Sequence, residues 1–299
     1  MNHHPFRRLT TAVLLGLGLV PAYAADYQPA EDSTPGSIVL EGTIRDFKMT
    51  HPDFETYPGT YNKVAPQLDP ATGVPVLDAK YYKAKRGTSE QSVYSASSFA
   101  QWFTDVEGVN LNIPYSITLE RDSSRPGVYW FAREKQMAAP YNYFFPIDRQ
   151  GFGLTQKPKN KPYKYYGGGD IANHNYHFTY TIDTLFTYTA PSKRDLDGDG
   201  VFGETFRDES DPGDAMFFKF TGDDDVWVFI NNNLAVDLGG VHSQKSASVN
   251  VDDYADELGL KVGHTYSLKL FFAERCTTES NFRIETSMLL STETSPLYD

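Results

Sequence analysis

Cysteine is almost missing from this chain: Cys276 is the one thiol in 299 residues. No internal disulfide can form, so Cys276 is either a buried or free thiol or a link between two chains. Basic residues are also short relative to acids, 27 Lys and Arg against 39 Asp and Glu, a formal net charge of −12. Nucleic acid and anionic membrane surfaces are therefore poor partners, because gripping phosphates needs a concentrated basic surface and no long Lys/Arg run exists. Beyond residue 20 no apolar run approaches the roughly 20 residues a membrane-crossing helix requires. Catalytic signatures are missing as well. There is no nucleophile elbow, no histidine pair with a third metal ligand and no Cys–His arrangement, and the acids are too numerous for one acid–base pair to stand out. The chain reads as non-catalytic, with a glycoside hydrolase as the competing class.

Aromatic residues are plentiful, 20 Tyr and 20 Phe, alongside 23 Gly and 18 Pro. That mixture favours β-structure with many turns. The N-terminus has the form of a secretory leader: Arg7 and Arg8, then apolar Leu9 to Val20, then the small-x-small site Ala22-Tyr23-Ala24. Residues 1–24 are expected to be cleaved, leaving a more acidic mature chain that is secreted, displayed at the cell surface or held in the periplasm. Residues 25–36 read as a flexible linker.

Several later segments alternate with a period of two. Ser37 to Phe47, Tyr115 to Leu119, His177 to Tyr188, Met216 to Thr221, Leu234 to Leu238, Tyr266 to Phe272 and Phe282 to Met288 are expected strands. Val226 to Ile230 is apolar throughout and suits a strand buried on both faces. Asn231-Asn232-Asn233 then supplies residues that tolerate positive φ in a hairpin. One helix is expected over Ser98 to Glu107, with Phe99, Trp102, Phe103 and Val106 on one face, Ser97 or Ser98 as cap and Gly108 as stop. Residues 59–92 read as irregular. Gly167-Gly168-Gly169 reads as a flexible stretch, since no helix with a Lys-Ser/Thr follows it to cradle phosphate. The fold class is all-β, a sandwich with one short helix and long loops.

Two acidic clusters stand out. Asp195-Leu196-Asp197-Gly198-Asp199-Gly200 places alternate carboxylates in a glycine-bent turn, the oxygen-rich arrangement a hard cation such as Ca²⁺ takes. The twelfth position is Phe206, not the bidentate Glu of a calcium-binding helix–loop–helix, so Glu204, Asp208 or Asp211 would have to close the shell. The alternative is a solvated acidic turn. Asp223-Asp224-Asp225 stands directly before the apolar run, where a cation would relieve like-charge repulsion. The same run also works as an acidic gatekeeper against aggregation. His174-x-x-His177 puts its histidines on opposite sides of a strand and reads as structural.

The segments Gly222 to Asn231, Val236-Asp237-Leu238-Gly239-Gly240-Val241-His242, Phe272-Ala273-Glu274-Arg275 and Ser280 to Ile284 resemble the fibro-slime domain. Gly42 to Phe47, His51 to Glu55, the Trp102 segment, Phe144 to Asp148 within the aromatic run from Tyr141, and His174 to Phe178 agree with it. The resemblance implies a single domain over 37–292, with an acidic insertion near 190–214. It also implies a protective-antigen-like, jelly-roll-like β-sandwich related to flocculin-type lectins, which hold calcium through adjacent aspartates often joined by a cis peptide. Carried over by position, Asp223 and Asp224 are the calcium pair and Asn281 is a further ligand, in addition to the Asp195, Asp197, Asp199 and Glu204 set read from spacing. The loop from Glu274 to Asn281 is the second wall. Asp225, where sugar-binding relatives commonly carry Gly, Asp237, His242, Glu274 and Arg275 are candidates to line the ligand. For Asp237 and His242, hairpin hydrogen bonding is the alternative. The expected function is calcium-organised carbohydrate binding or adhesion outside the cell, and the alternative is a structural matrix or fibre component that binds protein.

Overall fold

Alternation of core and solvent positions organises nearly every strand of the computed structural model, which describes residues 35–55, 63–78, 93–132, 144–148, 150–152, 174–208, 210–276 and 280–291. The expected leader, most of the expected linker, Tyr141 to Tyr143 and Gly167 to Gly169 lie outside the described residues. The elements are β1 (Ser37–Phe47), α1 (Ala96–Phe99), β2 (Asn110–Arg121), β3 (Tyr129–Ala132), β4 (Phe178–Thr187), β5 (Phe217–Gly222), β6 (Asp225–Ile230), β7 (Asn233–Leu238), β8 (Lys245–Asn250), β9 (Thr265–Glu274) and β10 (Phe282–Thr286). All ten strands form one antiparallel sheet in the order β7-β6-β9-β4-β1-β2-β3-β10-β5-β8. The end strands β7 and β8 approach each other, so the sheet curls until it nearly closes. The fold is the expected all-β class, with its layers made by one continuous sheet.

Every strand sends alternate side chains into a shared core. Leu40 of β1, Leu119 of β2, Phe131 of β3, Tyr180 of β4, Phe220 of β5, Val228 of β6, Val236 of β7, Val249 of β8, Phe272 of β9 and Phe282 of β10 all belong to it. A second core covers the opposite face of β6 and β9, where Trp227, Phe229 and Phe271 pack against Phe99, Trp102, Phe103, Val64 and Leu68. Burial on both faces is why the run from Val226 to Ile230 carries no polar alternation. Asn231 and Asn232 have φ of 49° and 63°, the two left-handed residues that join β6 to β7 in a tight hairpin.

The helix differs from expectation. It begins at Ala96, ahead of the expected start at Ser98, with Ser95 as its N-cap, and Ser98 is the third helical residue that completes a reciprocal capping box. It ends after a single turn, and other groups take the backbone of the segment that would have continued it. Asn110 Nδ2 donates to the carbonyls of Gln101 (3.0 Å) and Thr104 (2.9 Å), its Oδ1 accepts from the Val106 amide, and Thr179 Oγ1 donates to the Trp102 carbonyl. Phe99, Trp102 and Phe103 are still buried, so their helical spacing reflects a packed face built on turns. Strands β3 and β8 were not expected from the sequence. Among the described residues no helix is long and apolar enough to cross a membrane.

Replacing Asn110 by Ala would leave two carbonyls and one amide of the turn segment unpaired. A loss of about 1–3 kcal/mol is expected, read from the midpoint of urea unfolding at unchanged slope.

Candidate functional site

The β5–β6 connection is two residues long, Asp223 and Asp224, and their peptide bond is cis. Gly222 precedes them at the end of β5, where the β10 chain passes so closely that a Cβ would lie 2.2 Å from the Asn281 carbonyl oxygen. Asn281 fixes the first aspartate: its Nδ2 donates to Asp223 Oδ2 at 3.0 Å and its amide to Oδ1, while the Asp223 amide donates back to the Asn281 carbonyl at 3.3 Å. Asp224 is held by backbone donors from two other segments, the amides of His242 (3.2 Å) and Arg275 (3.3 Å). Asp223, Asp224, Asn281, Glu274 and His242, separate in sequence, are thus brought to one end of the sheet.

Asp225 and Arg275 lie beneath this surface. Both are 0% exposed, and Arg275 Nε and Nη2 each approach Asp225 Oδ2 at 2.6 Å, while Gly240 donates its amide to Oδ1. Arg275 also donates to the Asp53 carbonyl at 3.0 Å and its guanidinium stacks 4.8 Å from the Trp102 ring centroid. The indole of Trp102 donates to Asp53 Oδ2 at 2.8 Å. This pair fixes the loop that carries Asp223 and Asp224 from the interior side.

Charge at the site is unbalanced. Asp223, Asp224, Asp225 and Glu274 are all buried and face one buried cation, Arg275. Glu274 Oε1 accepts the Cys276 amide, whereas Oε2 has no hydrogen-bond partner among the described residues. Burial lifts the Asp224 carboxyl well above the usual range; Arg275 opposes this, and Asp225 and Asp223 add to it. Glu274 is raised well above its range by burial and then by Asp224 and Asp223. The Cys276 thiol is likewise raised, chiefly by burial and next by Asp224, so it stays neutral at ordinary pH and is a poor nucleophile.

Asp237 and His242 make hairpin contacts. Asp237 Oδ1 accepts from the Trp227 indole and the Gly239 amide, both at 3.1 Å, and burial raises its carboxyl. The His242 ring faces the carbonyls of Ser243 (2.9 Å) and Leu238 (3.0 Å). His174 and His177 both precede β4 and do not lie on a strand as expected; they serve separate carboxylates, Asp148 and Glu55.

In the loop from 195 to 204 the structure gathers Asp195, Asp197 and Asp214 into one group and Asp197, Asp199 and Glu204 into another, each with carboxylate oxygens within 4.8 Å of one another. Asp208 and Asp211 stay out of both groups and bond each other's backbone. Asp214 is the residue the sequence reading missed. It is fully buried, and its carboxylate accepts amides from Leu196 (2.6 Å), Gly203 (2.6 Å) and Glu204 (3.0 Å), folding the loop around itself. Its signal was Pro212-Gly213, a turn that delivers an acid to the very start of β5. Asp197 is raised by burial, with Asp199, Asp214 and Asp195 adding repulsion.

Residues 214–297 match the family model of the PA14 domain. The match covers β5 through β10 and therefore Asp223, Asp224, Glu274 and Asn281, while Asp195 to Glu204 lie before it. Over longer stretches the chain is similar to proteins of Dictyostelium discoideum. It is 38% identical to Protein psiQ over 70% of this chain and 17% of that protein. It is 33% identical to Protein psiC and 36% identical to Protein psiD, in each case over 85% of this chain and 42% of the relative. The chain thus spans less than half the length of these relatives. Among solved structures, an anti-sigma factor domain-containing protein aligns over 42% of this chain and 31% of its own at 13% identity and a TM-score of 0.21, too low to bear on the fold.

Two measurements follow from the buried charges. Arg275→Met leaves Asp225 buried and unpaired, and a loss of about 3–5 kcal/mol is expected in chemical denaturation. The raised carboxyls of Asp224 and Glu274 hold protons that the unfolded chain releases, so each lowers stability as pH rises from the unfolded value near 4 towards its folded pKa. In chelator, this contribution makes the protein more stable at pH 5 than at pH 7. His51, which burial holds below its usual value, acts oppositely below about pH 6.5. The diagnostic is therefore the difference between wild type and Glu274→Gln: the variant should gain less in Tm on going from pH 7 to pH 5.

Proposed function

We propose that this chain is a non-catalytic extracellular recognition module that binds carbohydrate through calcium held by Asp223, Asp224 and Asn281. The observation that carries this reading is the buried excess of acid: four carboxylates to one guanidinium, with one Glu274 oxygen left without a partner among the described residues. An all-oxygen donor set with that charge fits a hard divalent cation. When bound, the calcium ion would offer open coordination to neighbouring sugar hydroxyls. The protein groups do the positioning: Asn281 orients Asp223, the amides of His242 and Arg275 orient Asp224, and the Arg275–Asp225 pair keeps the loop rigid from below. Asp237 and His242, held by the β6–β7 hairpin and its continuation, flank the same end of the sheet. The PA14 match supports the reading, because that domain is a carbohydrate-binding and adhesion type of module.

Asp195, Asp197, Asp199, Glu204 and Asp214 form a second calcium site in this proposal, one that clips its loop to the start of β5. The domain runs from 37 to 292 as a fibro-slime unit, exported by the leader at 1–24.

Calorimetric titration with Ca²⁺ tests both sites. Asp223→Ala/Asp224→Ala should abolish one binding event and leave the other, Asp195→Ala/Asp197→Ala the reverse. A glycan array should show a ligand in calcium that disappears in chelator. Unaltered calcium binding by the first variant would remove the aspartate pair from the reading, and an empty array with a stable protein partner in pull-down would favour the structural matrix role.

A further inference from the structure

Starting two residues along from Asp223 and Asn281, the outward face of β5 and β10 carries a group of cations that the calcium-dependent function does not use. Lys219 and Thr221 alternate with core residues Phe218 and Phe220, and Arg283 and Glu285 alternate with Phe282 and Ile284, so all four polar residues point outward. The strand register sets Arg283 beside Thr221 and Glu285 beside Lys219. Arg125 reaches in from the β2–β3 turn and Gln244 borders the far side of an open surface cleft of about 680 Å³.

The order of burial in this cleft matters more than its charge count. Glu285 is the inner group, its side chain 6% exposed, and it accepts from Arg125 Nη2 at 2.6 Å and Arg283 Nη2 at 2.7 Å, with Lys219 Nζ at 3.7 Å. Those three cations stand in front of it; Arg125, Arg283 and Lys219 have 17%, 31% and 24% of their side chains exposed. Arg283 is held flat, its guanidinium 4.7 Å from the Trp130 ring centroid, and Arg125 is fixed from behind by Asp122 at 2.8 Å. Asp208, the other acid on the rim, is turned to its own loop and accepts the amides of Ser210 and Asp211. A solute entering the cleft therefore meets these three cations before it reaches Glu285, on a protein whose net charge is −12.

We propose that this cleft is a second, calcium-independent subsite for a carboxylated sugar, a uronic acid unit of an acidic polysaccharide. Arg283 and Lys219 receive the carboxylate, a planar fork and a point charge respectively, and Thr221 and Gln244 serve the ring hydroxyls. The volume is in the range of small-molecule sites and larger than an inorganic anion requires, and the neutral polar lining suits hydroxyls.

The probe is trigalacturonate titrated calorimetrically into the full chain in chelator. Binding is expected, weaker by about tenfold in Lys219→Ala and in Arg283→Gln, and weaker as salt is raised from about 50 to about 300 mM, as exposed charge pairs are screened. Glu285→Gln removes the cations' internal partner and should tighten binding, an effect opposite in sign to mere loss of structure. Lys219→Glu, at a partly exposed and peripheral position, keeps the test decisive if the Arg283 or Glu285 variants fail to fold. No binding in chelator, equal binding by Lys219→Glu, or competition by equimolar inorganic phosphate or neutral galactotriose would overturn the proposal. Asp223→Ala/Asp224→Ala should leave this binding unchanged, so failure of the calcium reading and failure of this one give different results.

Discussion

The buried ion pair between Arg275 and Asp225 is the contact on which the candidate site rests. It ties the end of β9 to the start of β6, and through the same guanidinium it reaches the Asp53 carbonyl and the face of Trp102. Two charges taken out of water are tolerable only when their remaining hydrogen-bonding capacity is used, and here Gly240 and Asp53 supply what the pair does not. The neighbouring Asp224 is hydrogen-bonded by backbone amides and feels the charge of Arg275, while Glu274 Oε2 has no hydrogen-bond partner among the described residues. Asp225 is matched by a guanidinium, whereas the equally buried Glu274 and the nearly as buried Asp224 have no cation of their own among the described residues.

The two acidic regions resolve like-charge crowding in different ways. Around residue 200 a single buried carboxylate, Asp214, accepts three amides, so the loop takes its shape from the protein's own groups. At Asp223 and Asp224 the carboxylates are oriented by groups from three separate parts of the chain, and their geometry is only as firm as the packing of those parts. A loop of the first kind is a local structure; a site of the second kind is a report on the whole fold.

Much of the sheet was legible because strands with one buried face alternate visibly, and β1, β2, β4, β5, β7 and β10 all do, as does the first half of β9, while the unbroken apolar run of β6 marks a strand buried on both faces. β3 is too short to show a period, and serine-rich β8 sends mainly Val249 into the core. The helix was read too long because a packed face of Phe99, Trp102 and Phe103 has the same spacing on consecutive turns as on a helix, and the side chain that unwinds it, Asn110, lies outside the pattern. In the site, a motif such as Glu274-Arg275 or Asp223-Asp224-Asp225 shows which residues belong together but not which stand in front. Burial decides that, and it places Asp225 and Arg275 behind Asp224.

The strand order bears on how the molecule comes to exist. β1, the first strand among the described residues, lies mid-sheet between β2 and β4, and β4 in turn needs β9, which ends at residue 274. Until β9 and β10 have been synthesised, β4 has an open edge and the shared core lacks Phe272 and Phe282. The polypeptide therefore cannot fold progressively from its N-terminus, and the sheet closes late, through contacts between residues far apart in sequence. A sheet with this strand order leaves its shared core incomplete until β9 and β10 are in place, so native packing waits on partners brought from far along the chain.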